Sequence, residues 1–259
     1  MPIPQGPLKI ACVGEAMIEL VLDNDGTAAN VGYAGDTLNT AIYLRRQIAT
    51  ENEVAFVSCI GEDTFSDRMA CFIESQGVST RSLSRIRDRL PGLYSIATDQ
   101  NGERSFYYWR ENSAARLMFA GGNFKALENC DVIYLSGISL AILPEDTREA
   151  LFLWIESFRK AGGLFSFDSN YRPRLWKSPE AARNAVARLI CNQGWRLRTA
   201  NRAGDNARSS RLTPARPLRK RSPFEKRSVL APSCTPAILH WRPQHRNHAA
   251  APNPSLCRS

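Results

Sequence analysis

Residues 33–44 combine a turn with polar side chains that could bind a ligand rich in hydroxyl groups. Gly35 tolerates backbone angles that other residues avoid, and Asp36 stands at the predicted N-cap of a helix. Asn39 follows within the first turn, so a carboxylate and an amide lie together. A sugar offers paired hydrogen-bond donors and acceptors, which suits this combination. The same pattern is typical of a capped helix without a ligand, and both interpretations stay open from this segment alone.

A second group of candidate residues lies in a predicted β-hairpin. Residues 93–99 and 105–110 alternate on both sides of an Asn101-Gly102 turn, which is typical of a hairpin. Its strands are rich in aromatic residues, and the second strand ends in Arg110. The aromatic rings could simply pack in a core, but an arginine is rarely buried unpaired. An arginine beside tyrosines suits a sugar acid, because a guanidinium binds a carboxylate through two donors.

A third group follows a predicted strand at residues 164–168. The next residues include Asn170 and Arg172, whose side chains could hold phosphate oxygens and a substrate carboxylate. The alternative is a solvated polar loop that leads into the next helix.

The elements between these candidates predict an α/β domain with a parallel sheet. Buried strands alternate with apolar stripes at helical spacing, and this rhythm is typical of strand–helix–strand units. Several strands end in glycine, and the loops after such strands often line a ligand crevice. The predicted strands are residues 8–13, 53–61, 131–137 and 164–168, and the predicted helices run within residues 37–47, 62–77 and 144–162.

Taken together, these segments resemble ribokinase-like carbohydrate kinases, and in particular the 2-keto-3-deoxygluconate kinases. Residues 34–41 read Ala-Gly-Asp-Thr-Leu-Asn-Thr-Ala and look like the sugar-contacting turn of that family. Residues 91–94 and 106–110 resemble the segments that line its substrate lid. Residues 168–176 read Asp-Ser-Asn-Tyr-Arg-Pro-Arg-Leu-Trp and are similar to a loop of the keto-deoxy-gluconate branch. The resemblance covers about residues 8–190.

This resemblance implies a three-layer α/β sandwich, with a mainly parallel sheet between helices and a small β lid over the sugar. It also implies transfer of the γ-phosphoryl group of ATP, with Mg²⁺, to 2-keto-3-deoxygluconate. A homodimer formed through the lid is compatible with it. The residues it assigns to substrate binding are Gly35, Asp36, Asn39, Tyr94, Tyr108, Arg110 and Arg172, and those it assigns to cofactor binding are Asn170 and Arg172.

The resemblance ends near residue 190. The family carries a turn of the form Asp-Thr-x-Ala-Gly-Asp, whose last aspartate is the general base and whose N–H groups bind the transferring phosphate. The sequence contains no such run, and Ala203-Gly204-Asp205 has neither a strand before it nor an apolar helix after it. We therefore expect a domain truncated on its C-terminal side, with no catalytic base and no metal ligand. We also expect the missing strands to leave residues 132–135 and their neighbours incompletely covered, which would favour aggregation.

The last part of the chain differs in composition from the rest. The net charge of +9 comes from residues 191–259, where Asp205 and Glu225 are the only acidic residues among many Arg, Pro and Ser. Such a composition predicts disorder. It is also what a GC-rich gene encodes in a wrong reading frame, so we hypothesise a frameshifted tail. A basic arm that binds nucleic acid, centred on residues 216–221, is the less favoured alternative.

Composition also restricts location and partners. No apolar run in the sequence is long enough to span a bilayer, and residues 1–7 lack the features of a signal peptide. None of the seven cysteines belongs to a Cys-x-x-Cys pair, which argues against a zinc site. We expect a cytoplasmic protein whose partner is a small sugar acid and not a membrane. The alternatives are a sugar kinase that is or once was active, a non-catalytic sugar-acid-binding protein or pseudogene fragment, and a basic-tailed nucleic-acid-binding protein.

Overall fold

A five-stranded parallel sheet forms the centre of the chain. The computed structural model describes residues 6–23 and 25–191. Every strand pair in the main sheet is parallel, as the alternation of predicted strands and helices indicated. In spatial order the strands are β5 (Leu83–Arg85), β4 (Glu53–Ile60), β1 (Lys9–Val13), β8 (Val132–Ser136) and β9 (Leu164–Asp168).

Helices cover both faces of this sheet. Ala11 and Val13 of β1 point into one buried apolar cluster, whereas Cys12 points into another. Because successive strand residues face opposite sides, both sides of the sheet are packed and the fold has three layers. The helices α1 (Asp36–Gln47) and α2 (Thr64–Ser75) contribute to the cluster of Cys12, and α3 (Gly137–Ile142), α4 (Glu145–Lys160) and α5 (Pro179–Cys191) contribute to the other.

A second sheet of four strands forms the lid. Its strands are β2 (Met17–Leu22), β3 (Ala29–Ala34), β6 (Gly92–Thr98) and β7 (Arg104–Trp109). They lie in the order β3-β2-β6-β7, with β2 parallel to β6 and the two outer pairs antiparallel. The predicted aromatic hairpin is confirmed, because β6 and β7 pair with Tyr94 opposite Tyr108. Sequence reasoning did not predict the other two strands.

The expectation that residues 132–135 and their neighbours are incompletely covered is confirmed only in part, because Val132 and Tyr134 are half-buried and the neighbouring β9 is an edge strand of the described sheet with three exposed residues. Strand β8 pairs with β1 on one side and with β9 on the other, and its residues Ile133 and Leu135 are fully buried. The pairing of β9, itself a predicted strand, provides this cover. The predictions of a disordered or frameshifted tail concern residues 192–259, which lie outside the described residues.

Candidate functional site

The turn that precedes α1 lies beside the carboxyl ends of β1 and β8. Gly35 is the N-cap of α1, in extended conformation with φ −179° and ψ 151°, and no side chain caps the helix. Asp36 is the first residue of the helix. The prediction that Asp36 is the N-cap is therefore wrong by one position, because the extended residue is Gly35; the Asp36 carboxylate bonds to other segments.

Asp36 joins the start of α1 to the ends of two neighbouring strands. Its Oδ2 accepts a hydrogen bond from Ser136 Oγ at 2.5 Å and another from Asn170 Nδ2 at 3.0 Å. Ser136 is the last residue of β8, and Asn170 follows β9 by two residues. The structure thus brings together two residues predicted from separate motifs. Sequence reasoning missed Ser136, because its visible signal is that of a helix cap, a role that it also fills for α3.

Two glycines allow the backbone segments of this region to approach each other. A Cβ on Gly35 would lie 2.2 Å from the carbonyl oxygen of Glu15, and a Cβ on Gly137 would lie 2.0 Å from that of Ser169. Distances this short are not possible between real atoms, so each position accepts only a glycine unless the backbone moves. Because of this close approach, the turn before α1 lies directly against Glu15, which comes after β1 and Gly14 in the chain.

Asn170 is held in an uncommon backbone conformation. Its φ is +24°, and its backbone N–H donates to Asp168 Oδ1 at 3.0 Å. Asparagine is among the residues that enter positive φ most readily, which explains its place at this sharp turn. Arg172 follows on the same loop, where it is exposed and its Nη1 donates to the carbonyl oxygen of Tyr171 at 3.5 Å.

Arg110 is buried and paired with a carboxylate that sequence reasoning did not identify. Its Nη2 forms an ion pair with Oε2 of Glu15, and the side chains of Arg110 and Glu15 are only 9% and 1% exposed. Ser113 Oγ donates to Oε1 of Glu15 at 2.5 Å. The Nε of Arg110 is buried and has no hydrogen-bond partner among the residues that the structure describes. A Gly-Glu pair after a buried strand was the available signal for Glu15, since loops after such strands reach the ligand crevice.

The pKa of the Glu15 carboxyl is raised above its usual range, because burial penalises its charged form. The charges of Arg110 and Arg116 and the hydrogen bond from Ser113 act in the opposite direction. Glu15 therefore belongs to a buried polar cluster in which desolvation and pairing oppose each other.

The aromatic residues of the lid divide into one buried tyrosine and an exposed strand. Tyr94 is buried and donates its hydroxyl hydrogen to Glu19 Oε2, and its ring stacks on that of Tyr108 with 5.7 Å between centroids. Tyr108 itself is about half exposed, as are its neighbours Tyr107 and Trp109. Core packing therefore does not account for the aromatic residues of β7. Dimerisation through this surface stays a prediction.

Four of the predicted site residues are linked to one another by contacts, whereas Tyr94 and Tyr108 contact each other within the lid. Asp36 and Asn170 are bonded to each other, and Gly35 touches the backbone of Glu15, whose side chain holds Arg110. Asn39 is exposed on α1 and Arg172 is exposed on its loop, two residues after Asn170, and their contact with a ligand stays a prediction.

The family resemblance implies ATP and Mg²⁺ as cofactors. The described part of the chain contains no preformed cluster of metal-binding side chains. No group of three or more His, Cys, Asp or Glu side chains among those residues could hold a metal ion. No helix among the same residues is long and apolar enough to cross a membrane.

The two-sheet architecture defines the class of the protein as a ribokinase-like α/β fold. The fructokinase of Xylella fastidiosa superposes with a TM-score of 0.60 at 26% identity, over 71% of this chain and 57% of that one. The 2-dehydro-3-deoxygluconokinase of Thermotoga maritima shares the fold with a TM-score of 0.58 at 24% identity, over 65% of this chain and 53% of that one.

The chain belongs to the pfkB family of carbohydrate kinases, whose model matches residues 7–200. It is 44% identical to the 2-dehydro-3-deoxygluconokinase of Dickeya dadantii, over 187 residues, and 43% identical to that of Escherichia coli K12. Each match covers 70% of this chain and 60% of the relative. The chain therefore spans about three-fifths of the length of these curated relatives.

Proposed function

We propose that this chain carries the sugar-acid pocket of a 2-keto-3-deoxygluconate kinase and that, with its present sequence, it binds the sugar acid without phosphorylating it. The relatives named 2-dehydro-3-deoxygluconokinase support the choice of substrate, since 2-dehydro and 2-keto describe the same carbonyl group. Binding and phosphoryl transfer depend on different parts of the sequence, so one can persist without the other.

The observation that carries the proposal is the state of Arg110. A guanidinium has five N–H donors in a planar fork, and a buried donor without a partner is costly. The ion pair with Glu15 uses Nη2, while Nε is buried without a partner among the described residues. A carboxylate ligand that reached the Arg110 guanidinium would be held by charge-assisted hydrogen bonds. The sugar acid would supply that carboxylate.

The rest of the pocket suits the hydroxyl groups of the same ligand. Asp36 is a carboxylate with acceptor capacity beyond its bonds to Ser136 and Asn170. Tyr108 presents a half-exposed ring that is stacked against Tyr94 and offers a flat surface to a carbon chain. These residues would fix the orientation of the ligand, whereas Arg110 would select for its acid group.

The absence of phosphoryl transfer follows from the sequence after residue 190. A general base typically contributes about 10²–10⁴-fold to a rate, and a donor to developing negative charge contributes roughly 10²–10³-fold. The sequence contains no Asp-Thr-x-Ala-Gly-Asp run that would supply both. We therefore expect no measurable turnover by the 259-residue protein.

Calorimetric titration and an assay for ADP formation test the two claims. The purified chain should bind 2-keto-3-deoxygluconate and should form no ADP from ATP and Mg²⁺ in its presence. Arg110→Ala should weaken binding roughly 10- to 100-fold, because a hydrogen bond to a charged group is lost. Arg104→Ala is the matched control, since Arg104 is exposed at the first position of β7, the strand that Arg110 follows.

Each claim has its own contradicting result. Absence of binding to the folded wild-type chain would refute the sugar-acid pocket. Turnover that Arg110→Ala abolishes would show instead that the last part of the chain supplies a working base.

A further inference from the structure

Glu15 occupies the junction between the main sheet and the lid. It follows β1, the middle strand of the sheet, through Gly14, and its carbonyl oxygen lies against Gly35. A Cβ on Gly92, the first residue of β6, would lie 2.7 Å from Glu15 Oε1. One residue thus contacts the turn before α1 and the start of the lid hairpin, and at Gly92 there is room only for a hydrogen atom.

The side chain of Glu15 also contacts the other end of the hairpin. Its two oxygens are divided between Arg110, which follows β7, and Ser113, which lies three residues further on. The backbone of the same segment is joined to the entry of the hairpin, because the N–H of Ala114 donates to the carbonyl oxygen of Leu90 at 2.9 Å. Both ends of the β6–β7 hairpin therefore meet at one buried carboxylate.

We infer that Glu15 is a positioning residue that fastens the lid hairpin to the main sheet and fixes the plane of the Arg110 guanidinium. A buried arginine whose carboxylate partner is removed keeps an uncompensated charge, so it must turn towards water or towards another acceptor. The guanidinium group of Arg110 is planar, so the contact that fixes Nη2 also determines where the remaining N–H groups point. The fastening of the lid stands on the contacts alone, whereas the orientation of Arg110 towards a sugar carboxylate rests on the proposed function.

Hydrogen exchange of the full chain tests the fastening without any ligand. Glu15→Gln keeps the shape of the side chain but removes its charge, and Glu111→Gln is the matched control, because Glu111 is an exposed glutamate next to Arg110. We expect the amides of β6 and β7 to exchange about 10-fold faster in Glu15→Gln, with those of β4 unchanged, because the lid opens locally. Unchanged lid exchange, or equal acceleration in β4, would overturn the inference.

A second variant keeps the test decisive if Glu15→Gln does not fold. Ser113→Ala removes only the hydrogen bond to Oε1 and leaves the ion pair with Arg110 in place. It should accelerate exchange in the same two strands by a smaller factor, about 3-fold. Acceleration spread evenly over both sheets would contradict a local fastening.

A double-mutant cycle tests the action of Glu15 through Arg110. Affinity for 2-keto-3-deoxygluconate is measured for the wild type, Glu15→Gln, Arg110→Gln and the double variant. We expect the single change at Glu15 to weaken binding about 10-fold and the double variant to bind no worse than Arg110→Gln, since one residue acts through the other. Additive losses would overturn the positioning role.

The two experiments distinguish failure of the inference from failure of the proposed function. A folded wild-type chain that binds no sugar acid refutes the proposed function, and with it the orientation of Arg110 towards a carboxylate. The hydrogen-exchange result then tests only whether Glu15 fastens the lid hairpin to the main sheet.

Discussion

The two sheets of this chain are held in place by different kinds of interaction. In the main sheet, seven of the eight residues of β4 and four of the five residues of β1 are buried, and helices pack on both faces. In the lid, all six residues of β7 are exposed, and the first three residues of β3 are exposed as well. The lid is joined at its base by the polar contacts of Glu15 and by lid residues such as Ile18 and Leu93, which pack in the apolar cluster of Cys12.

This difference predicts how the free energy of unfolding is distributed. Buried apolar area dominates the stability of the main sheet, because its strands face other side chains on both sides. The lid has fewer buried apolar residues than the main sheet, so it should open locally at a lower free energy than the whole fold. Substitutions should therefore separate into changes of global stability and changes confined to the lid.

The largest effect is expected for Leu135→Ala in β8. Leu135 is fully buried, and truncation of a buried leucine costs about 2–5 kcal/mol through lost burial and the cavity that remains. Val31→Ala in the lid should change stability by less than about 0.5 kcal/mol, since Val31 is 52% exposed. Urea denaturation followed by circular dichroism measures the free energy of unfolding of both variants. Leu153→Ala is the control, because it makes the same substitution at an exposed leucine. Equal losses from Leu135→Ala and Val31→Ala would remove the contrast between the sheets.

An intermediate effect is expected for Gly35→Ala at the junction. The added Cβ must displace the backbone carbonyl of Glu15, and overpacking of this kind costs about 1–3 kcal/mol. The same denaturation experiment measures it, and Gly6→Ala is the control because a Cβ there meets no atom within 4 Å. A neutral result at Gly35 would mean that the turn before α1 can move away from β1 without penalty.

The smallest effect is expected for Tyr94→Phe inside the lid. This change removes the hydroxyl that donates to Glu19, and one such hydrogen bond contributes about 0.5–1.5 kcal/mol net. Glu19 is half-buried, so water can replace part of the loss. Denaturation midpoints should fall slightly for Tyr94→Phe and not for the exposed Tyr107→Phe. A loss as large as that of Leu135→Ala would show that the lid contributes to the global core.

The sequence predicted the main sheet better than the lid, and the reason is physical. Strands β1, β4 and β8 carry apolar residues on both faces, and β9 carries Phe165 and Phe167 on one face; patterns of this kind are visible in a single sequence. Strand β3 reads Ala-Asn-Val-Gly-Tyr-Ala, which lacks a clear alternation and has a glycine in its middle. Its pairing with β2 depends on tertiary context that no local pattern records.

The candidate site was predicted in part for a similar reason. Arg110 was noticeable because a charged residue ended an aromatic strand, but its partner Glu15 lies 95 positions away in the chain. Asp36 and Asn170 were identified from separate motifs, and their bond spans 134 positions. Motifs identify the residues, whereas the pairing of side chains across such distances follows only from the fold.

The central place of β1 has a consequence for synthesis of the chain on the ribosome. Strand β1 pairs with β4 on one side, but its other partner is β8, and the backbone N–H of Lys9 bonds to a side chain 122 positions later. Closing so long a loop is entropically costly, and parallel pairings of this kind form slowly. In a nascent chain, one edge of β1 therefore stays unpaired until residue 136 has emerged from the ribosome. We expect that interval to be the period in which neighbouring nascent chains associate most readily.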